Sequence, residues 1–204
     1  MALVSEEEVR ACSSQFSLPL NDENFTKAQD LWSKVHRVNV IEKGLTEVLY
    51  REEGNDIDRP VYRWDTRPYS QIFREGFKSR SQGNTEESTY YNLHAFVHRA
   101  CAPIDIPSTN HAFVSTSGNN GWEPWPSRAV LPSNGQLELY RYEIFAPGGI
   151  SVPLTLKNDA RRYKSQKEIC FVGGISPMYI RSCLIYTVTR KGNSRFDTIS
   201  NYII

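Results

Sequence analysis

Regular alternation of apolar and polar residues is the sequence feature that most constrains the fold. It is clearest in residues 137–144, where it repeats with the period of two that is typical of a half-buried β-strand. Shorter segments with strand-like composition occur at residues 61–64, 112–117, 168–172 and 184–189. Because few helices are predicted between these strands, the pattern favours an α+β sandwich over a doubly wound parallel sheet.

A longer apolar spacing of three to four residues distinguishes the N-terminal part of the chain. It predicts a helix over residues 24–49, followed by shorter helices further on. Residues 51–58 are polar and contain a glycine, which is typical of a linker. We therefore predict a helical N-terminal extension at residues 1–59 and a main domain at residues 60–204.

Length and composition restrict the class of protein. A chain of 204 residues with 39% hydrophobic and 23% charged residues is ordinary for a globular protein and long enough to bury a core. No run of about 18 apolar residues is present, so no transmembrane helix is predicted. The first residues are acidic and lack an apolar segment, so we expect no secretory leader and a cytoplasmic or nuclear location.

The net charge of +1 is divided unevenly along the chain. Residues 1–60 carry a net charge of −5, whereas residues 61–204 carry +6. A basic main domain suits a phosphate-bearing ligand or a nucleic acid. Charges scattered over a solvated surface are the alternative explanation.

The histidines and cysteines do not predict a metal site. His94 and His98 are four residues apart, but no third ligand accompanies them, so a pair on a helix surface is expected. The cysteines are widely spaced, match no zinc-ligand pattern and are expected to be free thiols: Cys12, Cys101, Cys170 and Cys183.

Three short strings place polar and charged residues on predicted strands. They are Tyr62-Arg63-Trp64-Asp65, then Phe113-Val114-Ser115-Thr116-Ser117, and then Gln166-Lys167-Glu168 followed by Gly173-Gly174-Ile175. Each has an ordinary structural explanation: an edge-strand arginine paired with an aspartate, a hydroxyl-rich turn, and an exposed strand start. In an extended chain Arg63 and Asp65 share one face, and so do Gln166 and Glu168.

In this order and at these separations the strings resemble the Arg, Ser-Thr-Ser and Gln-x-Glu elements of the cholera- and pertussis-toxin-like mono-ADP-ribosyltransferases. The resemblance covers roughly residues 60–189. It implies NAD as the substrate, no metal, and an α+β fold of the ADP-ribosyltransferase type, which is a split β-sandwich with flanking short helices. In many relatives a glycine pair such as Gly173-Gly174 turns the chain into the next strand.

The implied reaction breaks the bond between nicotinamide and ribose, and positive charge develops on the ribose as it does in glycoside hydrolysis. A carboxylate placed where that charge appears lowers the barrier. By resemblance Glu168 is this carboxylate, Ser115 orients it, and Arg63, whose guanidinium suits phosphate oxygens, binds NAD. The other NAD-binding residues that the resemblance implies lie in the same strings: Tyr62, Asp65, Thr116 and Ser117, with Ser115 again among them.

The acceptor of ADP-ribose is predicted from Gln166, because in the family this position contacts the acceptor. A chain that is expected to lack a leader, with a basic main domain and a tryptophan-rich loop, resembles the pierisin-like branch, which transfers ADP-ribose to guanine in DNA. Trp122 or Trp125 can stack on a base, and Lys164 and Lys167 can contact phosphates. In the alternative interpretation the tryptophans pack against the sheet. Transfer to a protein side chain, hydrolysis of NAD, and a non-catalytic binding module are the other functions left open.

Overall fold

The computed structural model describes residues 22–43, 59–80, 83–99, 110–124, 131–132, 135–146, 148–157, 165–189 and 192–201. The helices are α1 (Asp22–Lys43), α2 (Tyr69–Glu75), α3 (Glu87–Tyr90), α4 (Leu93–Arg99) and α5 (Val152–Leu156), with a 3₁₀ turn at Pro177–Tyr179. The strands are β1 (Val61–Asp65), β2 (Phe77–Lys78), β3 (Phe113–Ser117), β4 (Gln136–Ile144), β5 (Ile150–Ser151), β6 (Glu168–Val172), β7 (Gly174–Ile175), β8 (Ile180–Thr189) and β9 (Gly192–Ser200). The predicted linker at residues 51–58 lies outside the described residues, and the division of the chain at residue 60 stays a prediction.

Seven strands form one antiparallel sheet in the order β5-β6-β3-β1-β4-β8-β9, and β2 pairs separately with β7. The predicted α+β class is confirmed, because a large antiparallel sheet is accompanied by short helices. Strand β8 begins at Ile180, four residues before the predicted start. The alternation does not predict β9 either, because its sequence, Gly-Asn-Ser-Arg-Phe-Asp-Thr-Ile-Ser, is mostly polar and forms an edge of the sheet.

The large sheet has a narrow joint between β3 and β1. Strand β1 pairs with β4 over five residues and β3 pairs with β6 over five, but β1 and β3 pair at one position, Tyr62 opposite Ser117. The sheet therefore consists of two halves, β5-β6-β3 and β1-β4-β8-β9, which are joined at this point. Arg63 lies on one half, and Ser115 and Glu168 lie on the other, so a site that uses all three forms across the joint.

Helix α1 packs against the main domain through one face. Trp32, Val35 and Val38 recur every three residues and are buried, as the predicted amphipathic helix requires. They share a core with Phe113 of β3 and Cys170 of β6. The helix predicted over residues 24–49 is confirmed within the described range, which ends at residue 43. Among the helices of the described ranges, none has the length and apolar character that crossing a membrane requires.

Asn39 anchors α1 to the start of α4. Its side-chain amide donates to the carbonyl oxygens of Val35 and Tyr91 at 2.7 and 2.9 Å, and its Oδ1 accepts from the backbone nitrogen of Leu93 at 2.9 Å. Leu93 is the first residue of α4, so Asn39 satisfies a donor that a helix start leaves open. Helices α1 and α4 both contribute to the core beneath β3 and β6.

Two glycines permit the close approach of β2 and β7. A Cβ atom on Gly76, which has φ +67°, would lie 2.3 Å from the carbonyl oxygen of Ile175. A Cβ atom on Gly174 would lie 2.5 Å from the carbonyl oxygen of Phe77. Because neither contact is possible for a side chain, both positions require glycine. The role expected for Gly173-Gly174 is confirmed, since the chain turns there from β6 into β7.

Candidate active site

Glu168 is the most deeply buried carboxylate of the candidate site. It is the first residue of β6, opposite Ser117 on β3, and it is only 2% exposed. Its Oε1 accepts a hydrogen bond of 2.5 Å from Ser115 Oγ and a longer one of 3.6 Å from Cys170 Sγ. The alternative of an exposed strand start is therefore wrong for Glu168. Ser115 contacts the carboxylate as the resemblance implies.

Arg63 reaches the same place from the other half of the sheet. Strand β1 lies between β3 and β4, so the alternative of an edge-strand arginine is wrong. Arg63 Nη1 donates to the backbone oxygen of Ser115 at 2.5 Å, across the joint. Its Nε is 3.7 Å from Asp65 Oδ2, and the guanidinium carbon lies 5.1 Å from the centre of the Phe77 ring. Ser115 thus connects the two charged groups, through its backbone to Arg63 and through its hydroxyl to Glu168.

One polar atom of each charged group remains without a hydrogen-bond partner in the described part of the chain. These atoms, Arg63 Nε and Glu168 Oε2, are both buried. Burial raises the pKa of Glu168, and the hydrogen bonds from Ser115 and Cys170 and the charge of Arg63 oppose that rise. Burial likewise lowers the pKa of Arg63, against the charge of Asp65. A ligand with a hydroxyl for the carboxylate and an anionic oxygen for the guanidinium would satisfy both atoms.

Asp65 is held beside Arg63 by a second arginine. Arg67 donates to the Asp65 carboxylate from its backbone nitrogen at 3.0 Å, from Nε at 2.9 Å and from Nη2 at 2.7 Å. Burial alone would raise the pKa of Asp65, but the hydrogen bonds from Arg67 and the charges of Arg63 and Arg67 outweigh burial and lower it. Asp65 is therefore a fixed negative charge next to Arg63. Contact of Asp65 with NAD stays a prediction.

Two residues that the sequence analysis did not select belong to this cluster, Arg67 and Cys170. Arg67 stands two residues after Asp65, and that spacing at a strand end is a signal for a local ion pair. Cys170 lies directly opposite Ser115 and on the same face of β6 as Glu168. The spacing of two residues is a signal that Cys170 and Glu168 share a face, whereas the position of Cys170 opposite Ser115 depends on the register between β3 and β6, which the local sequence does not reveal.

The other hydroxyls of the Ser-Thr-Ser string bind backbone. Thr116 is 2% exposed, and its Oγ1 donates to the carbonyl oxygen of Ile169 at 2.8 Å. Ser117 is 1% exposed, and its Oγ donates to the carbonyl oxygen of Gln166 at 2.8 Å. The structure thus does not bring these hydroxyls into the contacts that join Arg63, Ser115 and Glu168. The NAD-binding roles of Thr116 and Ser117 stay predictions.

Gln166 lies in a turn, not in an extended strand. Residues 165–167 form the turn that leads into β6, and Lys167 adopts a left-handed conformation with φ +49°. The expectation that Gln166 and Glu168 share one face of an extended chain is therefore wrong, because the conformation of Lys167 redirects the chain between them. Gln166 is half-buried and Lys167 is exposed. Acceptor contact by either residue stays a prediction.

Two aromatic candidates, Tyr62 and Trp122, lie on the opposite face of β1 from Arg63. Trp122 packs, half-buried, against the cluster of Trp64, Leu139 and Val188, and its carbonyl oxygen accepts from Trp64 Nε1 at 3.1 Å. The packing alternative therefore describes Trp122, and base stacking by this residue stays a prediction. Tyr62 is partly covered by the guanidinium of Arg141, 5.0 Å from its ring centre. Trp125 and Lys164 lie outside the described residues.

Metal ligands are not assembled anywhere in the described ranges, where no group of three or more His, Cys, Asp or Glu side chains could hold an ion. The ring centres of His94 and His98 lie 4.2 Å apart on α4, with the ring planes tilted by 52°. Cys170 and Cys183 are buried and are not joined by a disulfide, and Cys12 and Cys101 lie outside the described residues. Burial raises the pKa of the Cys183 thiol to about 12.

Comparisons with known proteins identify the family to which the chain belongs. The family model described as Scabin-like matches residues 61–202, and the chain belongs to this family. Pierisin from Pieris brassicae is 34% identical over 126 residues, which are 60% of this chain and 13% of that protein. A guanine-specific ADP-ribosyl transferase from Streptomyces coelicolor is 30% identical over 142 residues, 63% of this chain and 58% of that protein. The predicted resemblance to pierisin-like mono-ADP-ribosyltransferases is confirmed.

Solved structures agree on the fold. The structure of a mutant catalytic domain of the mosquitocidal toxin from Bacillus sphaericus aligns with a TM-score of 0.54 and 22% identity. The alignment covers 89% of this chain and 69% of the toxin chain. Another mutant of that domain matches 81% of this chain and 64% of its own, with a TM-score of 0.50 and 29% identity. The predicted ADP-ribosyltransferase type of fold is thereby confirmed.

Proposed function

We propose that the chain is an NAD-dependent mono-ADP-ribosyltransferase that transfers ADP-ribose to guanine in DNA. The observation that carries the proposal is the buried Glu168 carboxylate, with one oxygen held by Ser115 and the other without a donor among the described residues. A buried charge without a full set of partners is costly to the fold, so its presence indicates a ligand or a reaction. Arg63 lies across the joint, bound to the same serine.

In the proposed reaction Oε2 of Glu168 accepts a hydrogen bond from the 2′-hydroxyl of the NAD ribose. The bond between ribose C1′ and the nicotinamide nitrogen breaks, and its electron pair leaves with nicotinamide. The positive charge left on the ribose is stabilised by the carboxylate, which is already in place, and effects of this kind contribute about 3–4 kcal/mol. The acceptor then attacks C1′ and loses its proton.

Arg63 is the residue proposed to bind the NAD pyrophosphate. Its Nε is a buried donor without a hydrogen-bond partner in the described ranges, and an anionic oxygen would satisfy it. The position of the guanidinium is fixed in advance by the bond from Nη1 to Ser115 and by Asp65, which Arg67 keeps charged. Binding of a phosphate would also offset the burial that lowers the pKa of Arg63.

Guanine is the proposed acceptor for two reasons. One sequence relative is itself named a guanine-specific ADP-ribosyl transferase. Gln166, whose amide can both donate to and accept from a guanine edge, lies in the turn that leads directly to Glu168. DNA as the carrier of that guanine is supported by the net charge of +6 on residues 61–204. The cytoplasmic or nuclear location stays a prediction.

The proposal is tested by incubating the protein with NAD labelled in its adenylate part, separately with duplex DNA, single-stranded DNA and a cell extract. We expect a labelled product on DNA that survives protease and is lost with nuclease. Glu168→Gln should abolish labelling, whereas Glu138→Gln, at an exposed position of β4, should not. Label found on protein alone would indicate that a protein side chain, and not guanine, is the acceptor. Free ADP-ribose alone would indicate hydrolysis, and intact NAD in every arm would contradict the proposed activity.

A further inference from the structure

The turn at residues 165–167 is attached to the end of β3 by a ladder of three hydrogen bonds. Ser117 Oγ donates to the carbonyl oxygen of Gln166 at 2.8 Å, and the backbone nitrogen of Gly118 donates to the carbonyl oxygen of Lys167 at 3.0 Å. The side-chain Nδ2 of Asn119 donates to the carbonyl oxygen of Ser165 at 2.8 Å. Three consecutive carbonyls of the turn therefore receive hydrogen bonds from three consecutive residues that follow Thr116.

Asn119 is held in place independently of the turn. Its Oδ1 accepts from the backbone nitrogen of Gly121 at 3.0 Å, and its backbone nitrogen donates to Ser117 Oγ at 3.0 Å. Its carbonyl oxygen accepts from the backbone nitrogen of Trp122 at 3.2 Å. The side chain of Asn119 therefore accepts a hydrogen bond within its own loop, from Gly121, and donates one to the turn at residues 165–167. Only an amide of this length supplies both an acceptor and a donor here.

The turn needs this support because its own conformation is unfavourable. Lys167 has φ +49°, which brings its side chain close to its own backbone and is uncommon for residues other than glycine, asparagine or aspartate. Ser165 and Lys167 are exposed, and the sheet ladder begins only at Glu168. An exposed segment in an unfavourable conformation persists only where neighbouring groups stabilise it.

We propose that Asn119 is a positioning residue that holds the Gln166 turn and thereby sets the partition of cleaved NAD between the acceptor and water. This inference rests on the proposed function. Asn119 binds the carbonyl oxygen of Ser165, one residue before Gln166, so its effect passes through the backbone of the turn. Glu168 does not depend on Asn119 in the same way, because it is fixed by β-sheet pairing and by Ser115.

The experiment compares Asn119→Ala and Asn119→Asp with the wild type and with Asn120→Ala. Asn120 is the exposed neighbour whose backbone oxygen accepts from Arg141, so removal of its side chain leaves that bond intact. We expect Asn119→Ala to lower transfer to a guanine-containing duplex by about fivefold to tenfold, the equivalent of one hydrogen bond. NAD hydrolysis and the KM for NAD should stay within about twofold of the wild type. Asn119→Asp should lower transfer further, because its carboxylate faces the carbonyl oxygen of Ser165 without a proton to donate.

Hydrogen exchange provides a readout that does not require activity. Amide exchange in residues 165–168 should become faster in Asn119→Ala and remain unchanged in Asn120→Ala, because the turn loses one of its anchors. Unchanged exchange, or an unchanged ratio of transfer to hydrolysis, would overturn the role of Asn119. Equal losses of transfer and hydrolysis would overturn it as well, because they would make Asn119 a general structural residue. A wild type that leaves NAD intact would instead contradict the proposed function.

Discussion

The buried cluster of Arg63, Ser115 and Glu168 and the exposed turn at residues 165–167 are adjacent in the fold but are held in different ways. The cluster lies on strands β1, β3 and β6, each of which pairs over five residues with a neighbouring strand of the large sheet. The turn lies outside the ladders and is attached by single hydrogen bonds from residues 117–119. The boundary between the two regions lies between Lys167, which belongs to the turn, and Glu168, where the sheet pairing of β6 begins.

In the proposed reaction this difference separates two tasks on one scaffold. Cleavage of NAD needs a charge placed in advance, which only a rigid and buried site can supply. Choice of the acceptor needs a surface that can differ between relatives without disturbing the cleavage chemistry, and loops carried by a rigid scaffold are suited to this. Changes in the cluster should therefore affect cleavage and transfer together, whereas changes in the turn that alter activity should lower transfer and leave cleavage unchanged.

The largest effect is expected from Glu168→Gln. Turnover of NAD should fall by about 10³-fold, because the carboxylate acts on charge that develops in the transition state, while NAD affinity should stay within a few-fold. Single-turnover kinetics beside calorimetric titration measure the two quantities. If the variant keeps more than about a tenth of wild-type turnover, Glu168 is not the carboxylate that stabilises the developing charge. Glu138→Gln is the matched control.

The same substitution should stabilise the fold near neutral pH. Burial raises the pKa of Glu168 above its value in the unfolded chain, so the stability that protonated Glu168 contributes is lost as pH rises through the folded-state pKa. Glutamine is neutral at every pH, and we expect the melting temperature to rise at neutral pH by about 2–4 °C for each kcal/mol gained. This advantage should shrink as pH falls towards the unfolded-state pKa of glutamate. A lower melting temperature for the variant at neutral pH would contradict this account.

Arg63→Lys should weaken NAD binding about tenfold or more, besides lowering the rate. A lysine has no counterpart of the buried Nε, and it cannot bind Ser115 and a phosphate with the same rigid fork of donors. Fluorescence titration with NAD, accompanied by a melting curve, separates affinity from stability. Arg74→Lys, at an exposed position of α2, is the control. Unchanged affinity, or a loss of melting temperature alone, would leave Arg63 a structural strand residue.

Ser115→Ala should lower turnover about tenfold and shift its pH dependence. The Ser115 hydroxyl favours the ionised form of Glu168, so its removal should raise the pKa of that carboxyl further. Because the ionised form is the active one, the acid limb of the kcat profile should move to higher pH. Ser182→Ala removes a similar serine–glutamate hydrogen bond, to Glu143, and should leave the profile unchanged. An unshifted limb in Ser115→Ala would show that the short hydrogen bond does not control Glu168.

Substitutions of Lys167 should have the smallest effect and act on stability. Glycine adopts the left-handed conformation readily, so Lys167→Gly should keep the free energy of unfolding within about 0.5 kcal/mol of the wild type. Lys167→Val should lower it by about 1 kcal/mol, because a β-branched side chain is unfavourable there. Urea unfolding measures both values. Equal effects of the two substitutions would mean that the left-handed conformation does not matter to the turn.

The sequence predicts the features that depend on local patterns. Alternation in residues 137–144 is enough to identify β4, and the spacing of Trp32, Val35 and Val38 is enough to identify α1. The hydrogen bond between Ser115 and Glu168 could be predicted only from resemblance to a family. The two residues are 53 positions apart, and the register between β3 and β6 brings them together.

The same limit explains what the sequence analysis misses. Cys170 lies opposite Ser115 only because β3 and β6 pair in one register, and a slip of one residue would place a different side chain there. The left-handed Lys167 has no local signal, since lysine rarely adopts that conformation and is stabilised here by hydrogen bonds from a distant loop. The edge strand β9 is too polar to show alternation. Tertiary contacts decide all three features.

The most direct test of the separation between cleavage and acceptor choice is the ratio of transfer to hydrolysis in Gln166→Ala. Labelled NAD is supplied with a guanine-containing duplex, and ADP-ribose on DNA and free ADP-ribose are measured in the same reaction. The account predicts that transfer is lost while hydrolysis is retained or raised, because Glu168, Ser115 and Arg63 still cleave NAD and water captures the ribose. Equal loss of both products would show that Gln166 serves NAD itself and would contradict the account.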